Sequence, residues 1–137
     1  MGVIGFDTSN YTTSIAWFDG CSGENCSQLL PVKMGELGLR QSDAVFAHTK
    51  QLPQIVGDVL SSVDVKSISA VGVSDRPRRL NDSYMPCFLT GVGLAEVLAK
   101  ALSVPLYKFS HQEGHIAAAL YSAGRMDLIN SSFIAFH

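Results

Sequence analysis

Residues Gly2 to Phe18 read GVIGFDTSNYTTSIAWF. Val3 to Phe6 is a short apolar run with β-branched character that stops at Asp7-Thr8-Ser9. Thr12 to Phe18 is a second strand-like run, closed by Asp19-Gly20. The short polar link Ser9-Asn10-Tyr11 between them predicts a β-hairpin. Working outward, residues 20–27 (GCSGENCS) are small and polar, which predicts a turn. Leu29 to Met34 then predicts a third strand, with Pro31 marking an edge or strand-start position. From Ser42 to Val63 the period changes: Val45, Phe46, Leu52, Ile55, Val56, Val59 and Leu60 fall near helical spacing. Ser42 is the expected N-cap, and Pro53 is expected to kink or split this helix. Ile68 to Val73 is apolar throughout, as in a strand buried on both faces. Phe88 to Leu102 predicts a helix that is apolar nearly all round and therefore interior, with Gly91, Gly93 and Ala95 admitting a neighbouring backbone. Pro105 to Phe109 predicts a strand, His111 to Ala123 a last helix stopped by Gly124, and Ser132 to Phe136 a further strand.

The order βββ-α-β-α-β-α-β predicts an α/β fold, a mixed sheet with helices on both faces. It matches the ribonuclease H-like lobe of the actin-like ATPase superfamily, found in actin, heat-shock chaperones and sugar kinases. Residues 1–130 are read as one such N-terminal lobe. Residues 131–137 are read as the first strand of a second lobe that this chain lacks, because a domain rarely ends in mid-pattern.

Composition narrows the function. The chain has 137 residues, 10 Lys+Arg against 12 Asp+Glu, and a net charge of −2. Hydrophobic residues make up 47%, charged residues only 16%, and the mean hydropathy is +0.20. That balance excludes disorder and a purely electrostatic nucleic-acid binder. A domain of this size buries roughly two-thirds of its unfolded surface, so the apolar surplus points to a partner, a second lobe or a second copy. Cys21, Cys26 and Cys87 form no C-x-x-C pair, which favours reduced thiols and a cytoplasmic protein. No basic segment precedes the first apolar run, and Phe6 stands where a myristoylation signal needs Ser or Thr. No apolar stretch reaches the ~20 residues that cross a bilayer, so no membrane is expected.

Chemistry concentrates in three places. Ser110-His111-Gln112-Glu113-Gly114-His115 opens the last helix. His111 and His115, at i and i+4, share a helix face and could bind one metal ion, although such pairs more often cap or pack a helix start. Ser110 and Glu113 have the spacing of a capping box, and that role suits Glu113 better than catalysis. Gln112 follows the first histidine where the zincin H-E-x-x-H has its glutamate base. In the hairpin, Thr8, Ser9 and Asn10 could hold phosphate oxygens, with Asp7 and Thr12 as candidate catalytic or metal-positioning groups. The same residue types are ordinary in turns. Arg76, Arg78 and Arg79, in RPRRLNDSYMP, could touch RNA phosphates, though a charged loop is usually just solvated. Tyr84, Met85 and Phe88 are expected to anchor that loop to the core.

Together, HQEGHIAAAL at His111 to Leu120, the opening GVIGFDTSNYTTSIA, the segment QLPQIV and the helix GVGLAEVLAKAL resemble the TsaD/Gcp family. Its members are tRNA threonylcarbamoyladenosine transferases, formerly named O-sialoglycoprotein endopeptidases or glycoproteases. The resemblance implies the first lobe of an actin-like, two-lobed protein. It places His111 and His115 on the family's two metal-binding histidines, with a third ligand, an aspartate, in the absent lobe. It implies a divalent metal (iron or zinc), ATP or an acyl-adenylate, and tRNA as partner, with the site incomplete in this chain. Two departures mark a divergent paralogue. The family hairpin E-T-S-C-D-E-T is D-T-S-N-Y-T-T here, so Tyr11 and Thr12 replace an acidic pair, and the R-G-P-G loop is replaced by DRPRRLNDSYMP. The leading expectation is the lobe of a metal- and ATP-dependent tRNA adenosine threonylcarbamoyltransferase, inactive by itself. The alternative is a non-catalytic subunit that pairs with an actin-like paralogue or with itself, and the third is a metalloendopeptidase.

Overall fold

β1 (Gly2–Asp7) and β2 (Thr12–Phe18) form the expected antiparallel hairpin, with Val3 opposite Phe18 and Asp7 opposite Ser14. The computed structural model describes residues 1–32 and 38–135. Asn10 takes the left-handed conformation in the turn (φ 43°), which Asn adopts more readily than most residues. The sheet order is β3-β2-β1-β4-β5, with β4 (Ile68–Arg76) parallel to β1 and β5 (Leu106–Ser110) parallel to β4.

The third strand lies earlier than the sequence suggested. β3 is Gly23–Leu29, paired antiparallel with β2, and it takes up most of the segment expected to be a turn. The actual turn is Asp19 to Ser22, where the Asp19 carboxylate accepts from the amides of Cys21 and Ser22 and Gly20 has φ 103°. All of β3 except Cys26 is exposed, so this edge strand has no apolar alternation to read. Met34 lies outside the described residues.

α1 (Gln41–Leu60) starts without a side-chain cap; Ser42, the expected N-cap, sits inside the first turn. The helix also runs unbroken through Pro53. Pro53 is exposed, whereas Ala44, His48, Leu52, Ile55 and Val59 form a continuous buried stripe whose packing outweighs the lost hydrogen bond. α2 (Phe88–Leu102) has the expected bounds but not the expected interior position. Phe88, Gly91, Ala95 and Ala99 face inward, while Leu89 and Val97 are 57% and 65% exposed. α3 (His111–Ser122) ends near Gly124, at φ 66°. Residues 132–135, in the expected final strand, carry no regular structure; Phe136 and His137 lie outside the described residues.

Strand alternation separates the two faces of the sheet. Ile4, Phe6, Ile15, Val71 and Val73 point to one face and form the core with Leu52, Ile55 and Val59 of α1 and Ala95 and Ala99 of α2. The opposite face carries α3, where Tyr121 meets Phe18 edge-to-face at 5.4 Å between ring centroids. This is the mixed sheet with helices on both faces. Among the described residues no helix is long and apolar enough to cross a membrane.

Two buried polar contacts fix the helices on the hairpin. The Thr8 hydroxyl donates to the Cys87 carbonyl (2.9 Å) and accepts from the Gly91 amide (3.2 Å), so the end of β1 caps α2. On α1, Gln51 donates its Nε2 to the Leu29 carbonyl, which leaves Oε1 to accept from the Thr13 hydroxyl at 2.7 Å. Thr13 has then given its only proton, so the fully buried His48 donates from Nδ1 to the Thr13 oxygen, at 2.7 Å. Burial holds the His48 pKa below its usual 6.5.

A Cβ at Gly91 would lie 2.9 Å from Thr8 Oγ1 and 3.2 Å from its Cγ2, whereas one at Gly93 meets nothing. Urea unfolding should therefore show Gly91→Ala destabilised by about 1–3 kcal/mol and Gly93→Ala stabilised by up to about 1 kcal/mol. His48 gives a second expectation. The unfolded chain binds a proton near pH 6.5 that the folded chain resists, so its contribution is complete above that pH and is lost as pH falls below it. The unfolding midpoint should drop between about pH 7 and pH 5, and His48→Gln should flatten that decline.

Candidate metal centre

β1, β4 and β5 run parallel and end together, and in such sheets the crevice beyond the carboxyl ends of the strands is the usual place for a ligand. Asp7 is the last residue of β1, Ser74 lies near the end of β4, and Ser110 closes β5 directly before His111. Alternation along β1 turns Asp7 away from the core face of Ile4 and Phe6, toward α3.

Asp7 is the hub. Its Oδ1 accepts from the Ser9 amide (2.7 Å), and its Oδ2 accepts from the Ser74 hydroxyl (2.7 Å) and lies 2.8 Å from His111 Nδ1. Burial works to raise the Asp7 pKa, but the hydrogen bonds from His111, Ser74 and Ser9 outweigh it and lower the value to about 2. A carboxylate only accepts, so His111 donates from Nδ1, and its Nε2 carries a lone pair in the neutral ring. That Nε2 lies 2.8 Å from His115 Nε2, with the rings nearly perpendicular. The paired imidazoles thus converge on one helix face, as the spacing predicted. Among the described residues no group of three or more His, Cys, Asp or Glu side chains could hold a metal.

The first turn of α3 is fixed from two directions. Ser110 and Glu113 form the expected capping box, with the Ser110 amide and hydroxyl both donating to Glu113 Oε2 at 2.8 Å. Those bonds, led by the one from the backbone amide, hold the Glu113 pKa below the usual carboxylate range. Glu113 Oε1 pairs with Arg79 (2.8 Å), and the Gln112 amide donates to the Pro77 carbonyl (3.0 Å). The basic loop is therefore bound to the helix that bears the histidines.

The other candidate residues lie around this centre. Thr8 is fully buried, with its hydroxyl engaged at α2. Ser9 is nearly buried and offers its amide to Asp7, while Asn10 is exposed at the hairpin tip. Thr12 starts β2 opposite Leu29. Arg76 pairs with Asp75 through two hydrogen bonds, and Arg78 lies exposed with its amide donating to Ser83. Arg76 and Arg79 line a small polar notch together with Lys108 and Ser110. Of the expected loop anchors, Phe88 is buried and Met85 packs beside it, but Tyr84 is 61% exposed and lies outside that cluster. Ser74 and Lys108 were not singled out in the sequence; Ser74 closes an apolar strand like any polar terminator, and only the β1–β4 pairing brings it to Asp7.

A protein named tRNA N6-adenosine threonylcarbamoyltransferase from Campylobacter concisus is 27% identical over 124 residues, covering 83% of this chain and 33% of its own length. One of the same name from Aromatoleum aromaticum is 27% identical over 128 residues, covering 90% and 36%. The resemblance to the TsaD/Gcp family read from the motifs is thus met by proteins of that activity's name, at 24–27% identity. The chain spans about a third of the length of these relatives. No family model matches it. Among solved structures, YeaZ from Pseudomonas aeruginosa superposes with a TM-score of 0.65 at 18% identity, over 90% of this chain and 49% of YeaZ. That likeness concerns the fold, the ribonuclease H-like lobe expected from the element order.

The cap is open to a direct test. Ser110→Ala should cost about 1 kcal/mol in urea unfolding, because it leaves the Glu113 amide without its acceptor.

Proposed function

We propose that this chain is the lobe of a TsaD/Gcp-like transferase that presents the metal-binding histidine pair, acting on adenosine N6 in tRNA together with a second actin-like lobe. The observation that carries the proposal is the convergence of the His111 and His115 Nε2 atoms at 2.8 Å, on the ligand-binding side of the sheet. A divalent cation of the zinc or iron type fits what these residues offer: an unprotonated imidazole nitrogen on His111, a second ring nitrogen on His115 that meets it in a hydrogen bond an ion would replace, and both rings partly open to solvent. Such an ion supplies Lewis acidity toward the carbonyl of a bound acyl-adenylate. Its remaining ligand and the nucleotide pocket belong to the second lobe.

The chain's own residues have separable tasks. His111 and His115 hold the ion, and Asp7, Ser9 and Asn10 shape the hairpin beside it. Thr8 fixes that hairpin from behind by capping α2. Arg76 at the end of β4, together with Arg78 and Arg79 on the loop bound to α3, supplies cations for the RNA backbone. Tyr11 and Thr12 stand where the family has an acidic pair, so proton transfer through that pair is not available to this chain. The peptidase reading has less support: Glu113, the carboxylate nearest the histidines in sequence, is occupied by Ser110 and Arg79.

A second reading, a non-catalytic subunit that pairs with an actin-like paralogue or another copy, is favoured by a different observation. Leu89, Gly93 and Val97 make an exposed stripe along α2, and Phe46 of α1 is 66% exposed. The resemblance of the fold to YeaZ supports the same reading.

Joined to a second actin-like lobe and supplied with acyl-adenylate and tRNA, the chain should support transfer. His111→Ala and His115→Ala should each lower the rate by roughly 100-fold or more, the several kcal/mol that a metal contributes. Full activity in both variants overturns the enzymatic reading. Light scattering of the same preparations addresses the second reading, and a chain that stays monomeric and binds no actin-like partner overturns it.

A further inference from the structure

Asp7 and His111 are 104 residues apart, yet their side chains meet at 2.8 Å. The contact lies on the Nδ1 edge of the ring, whereas the edge that meets His115 is the Nε2 edge. Both oxygens of Asp7 are engaged: Oδ1 takes the Ser9 amide, and Oδ2 takes both the Ser74 hydroxyl and His111. The group that fixes His111 is therefore itself fixed, by the hairpin on one side and by β4 on the other.

We propose that Asp7 is a positioning residue for the histidine pair: its carboxylate holds His111 in the Nδ1–H form and aims the unprotonated Nε2 at the point where it meets His115. Ser74 acts one step further back by fixing the carboxylate. Without Asp7, His111 is free to protonate at Nε2 and to rotate about its side-chain torsions, and either change removes the unprotonated nitrogen that His111 presents to His115. Outer carboxylate partners of this kind orient metal-binding imidazoles and raise their basicity. The exposure of the pair adds to the need: His115 is on the surface and His111 is 31% exposed, so neither ring is held by packing alone. The inference deepens the metal-binding reading and rests on it.

The test uses the 137-residue chain joined to a second actin-like lobe that supplies the remaining ligand, with Zn2+ as the probe, and has two readouts. Ring 15N shifts of His111 in the metal-free wild type report the tautomer without any substitution, and Nδ1–H is expected. Calorimetric Zn2+ titration should show that Asp7→Asn weakens affinity about 10–100-fold and that Ser74→Ala weakens it less. His111→Ala and His115→Ala should abolish binding. If the wild type does not bind Zn2+, or the two alanine variants bind as it does, the metal-binding reading falls and the proposal falls with it. If only those variants lose binding while Asp7→Asn stays within about twofold of the wild type, the proposal alone is overturned. An Nε2–H form of His111 in the metal-free wild type also overturns it alone, even if Asp7→Asn does not fold.

Discussion

Two adjacent residues at the end of the central strand hold the helices in place from opposite sides. In extended backbone, consecutive side chains point to opposite faces, and Asp7 and Thr8 use that alternation at the point where β1 runs out. Thr8 turns toward the core face and closes the first turn of α2, while Asp7 turns the other way and takes hold of α3 through His111. β1 itself is paired on both edges, antiparallel to β2 and parallel to β4. The position of the histidine pair is thus inherited from a strand held along both edges, although the pair lies on a helix with only Leu120 buried.

How much of this was legible in the sequence depended on whether each signal was local. The hairpin and the bounds of α2 and α3 were legible because apolar period and breakers act over a few residues, and Gly124 does stand in the left-handed region that ends α3. β3 was misplaced because an edge strand with two wet faces has no reason to alternate. α1 survived Pro53 because the buried stripe on its other side decides the matter. The interior position expected for α2 failed on Leu89 and Val97, which are apolar and exposed. The histidine pair was legible from i, i+4 spacing, and the capping box from i, i+3 spacing. The Asp7 contact was not, because it arises from strand pairing between segments a hundred residues apart.

The exposed apolar residues return to the composition. With 16% charged residues the chain has little with which to cover a surface, and α2 shows where that shortage falls. The outer side of α2 lies across the sheet from the histidines, which sit with α3. A partner on α2 and a substrate beside His111 would therefore occupy separate surfaces, joined through the Asp7–Thr8 step.

The contact between Thr8 and Gly91 also limits how this sequence can drift. A side chain cannot be added at position 91 while a β-branched hydroxyl residue fills the space opposite, and that hydroxyl cannot be lost while an amide on α2 relies on it. Each position vetoes change at the other. Among distant relatives these two sites should vary as a linked pair or stay as they are, whatever chemistry each descendant carries out.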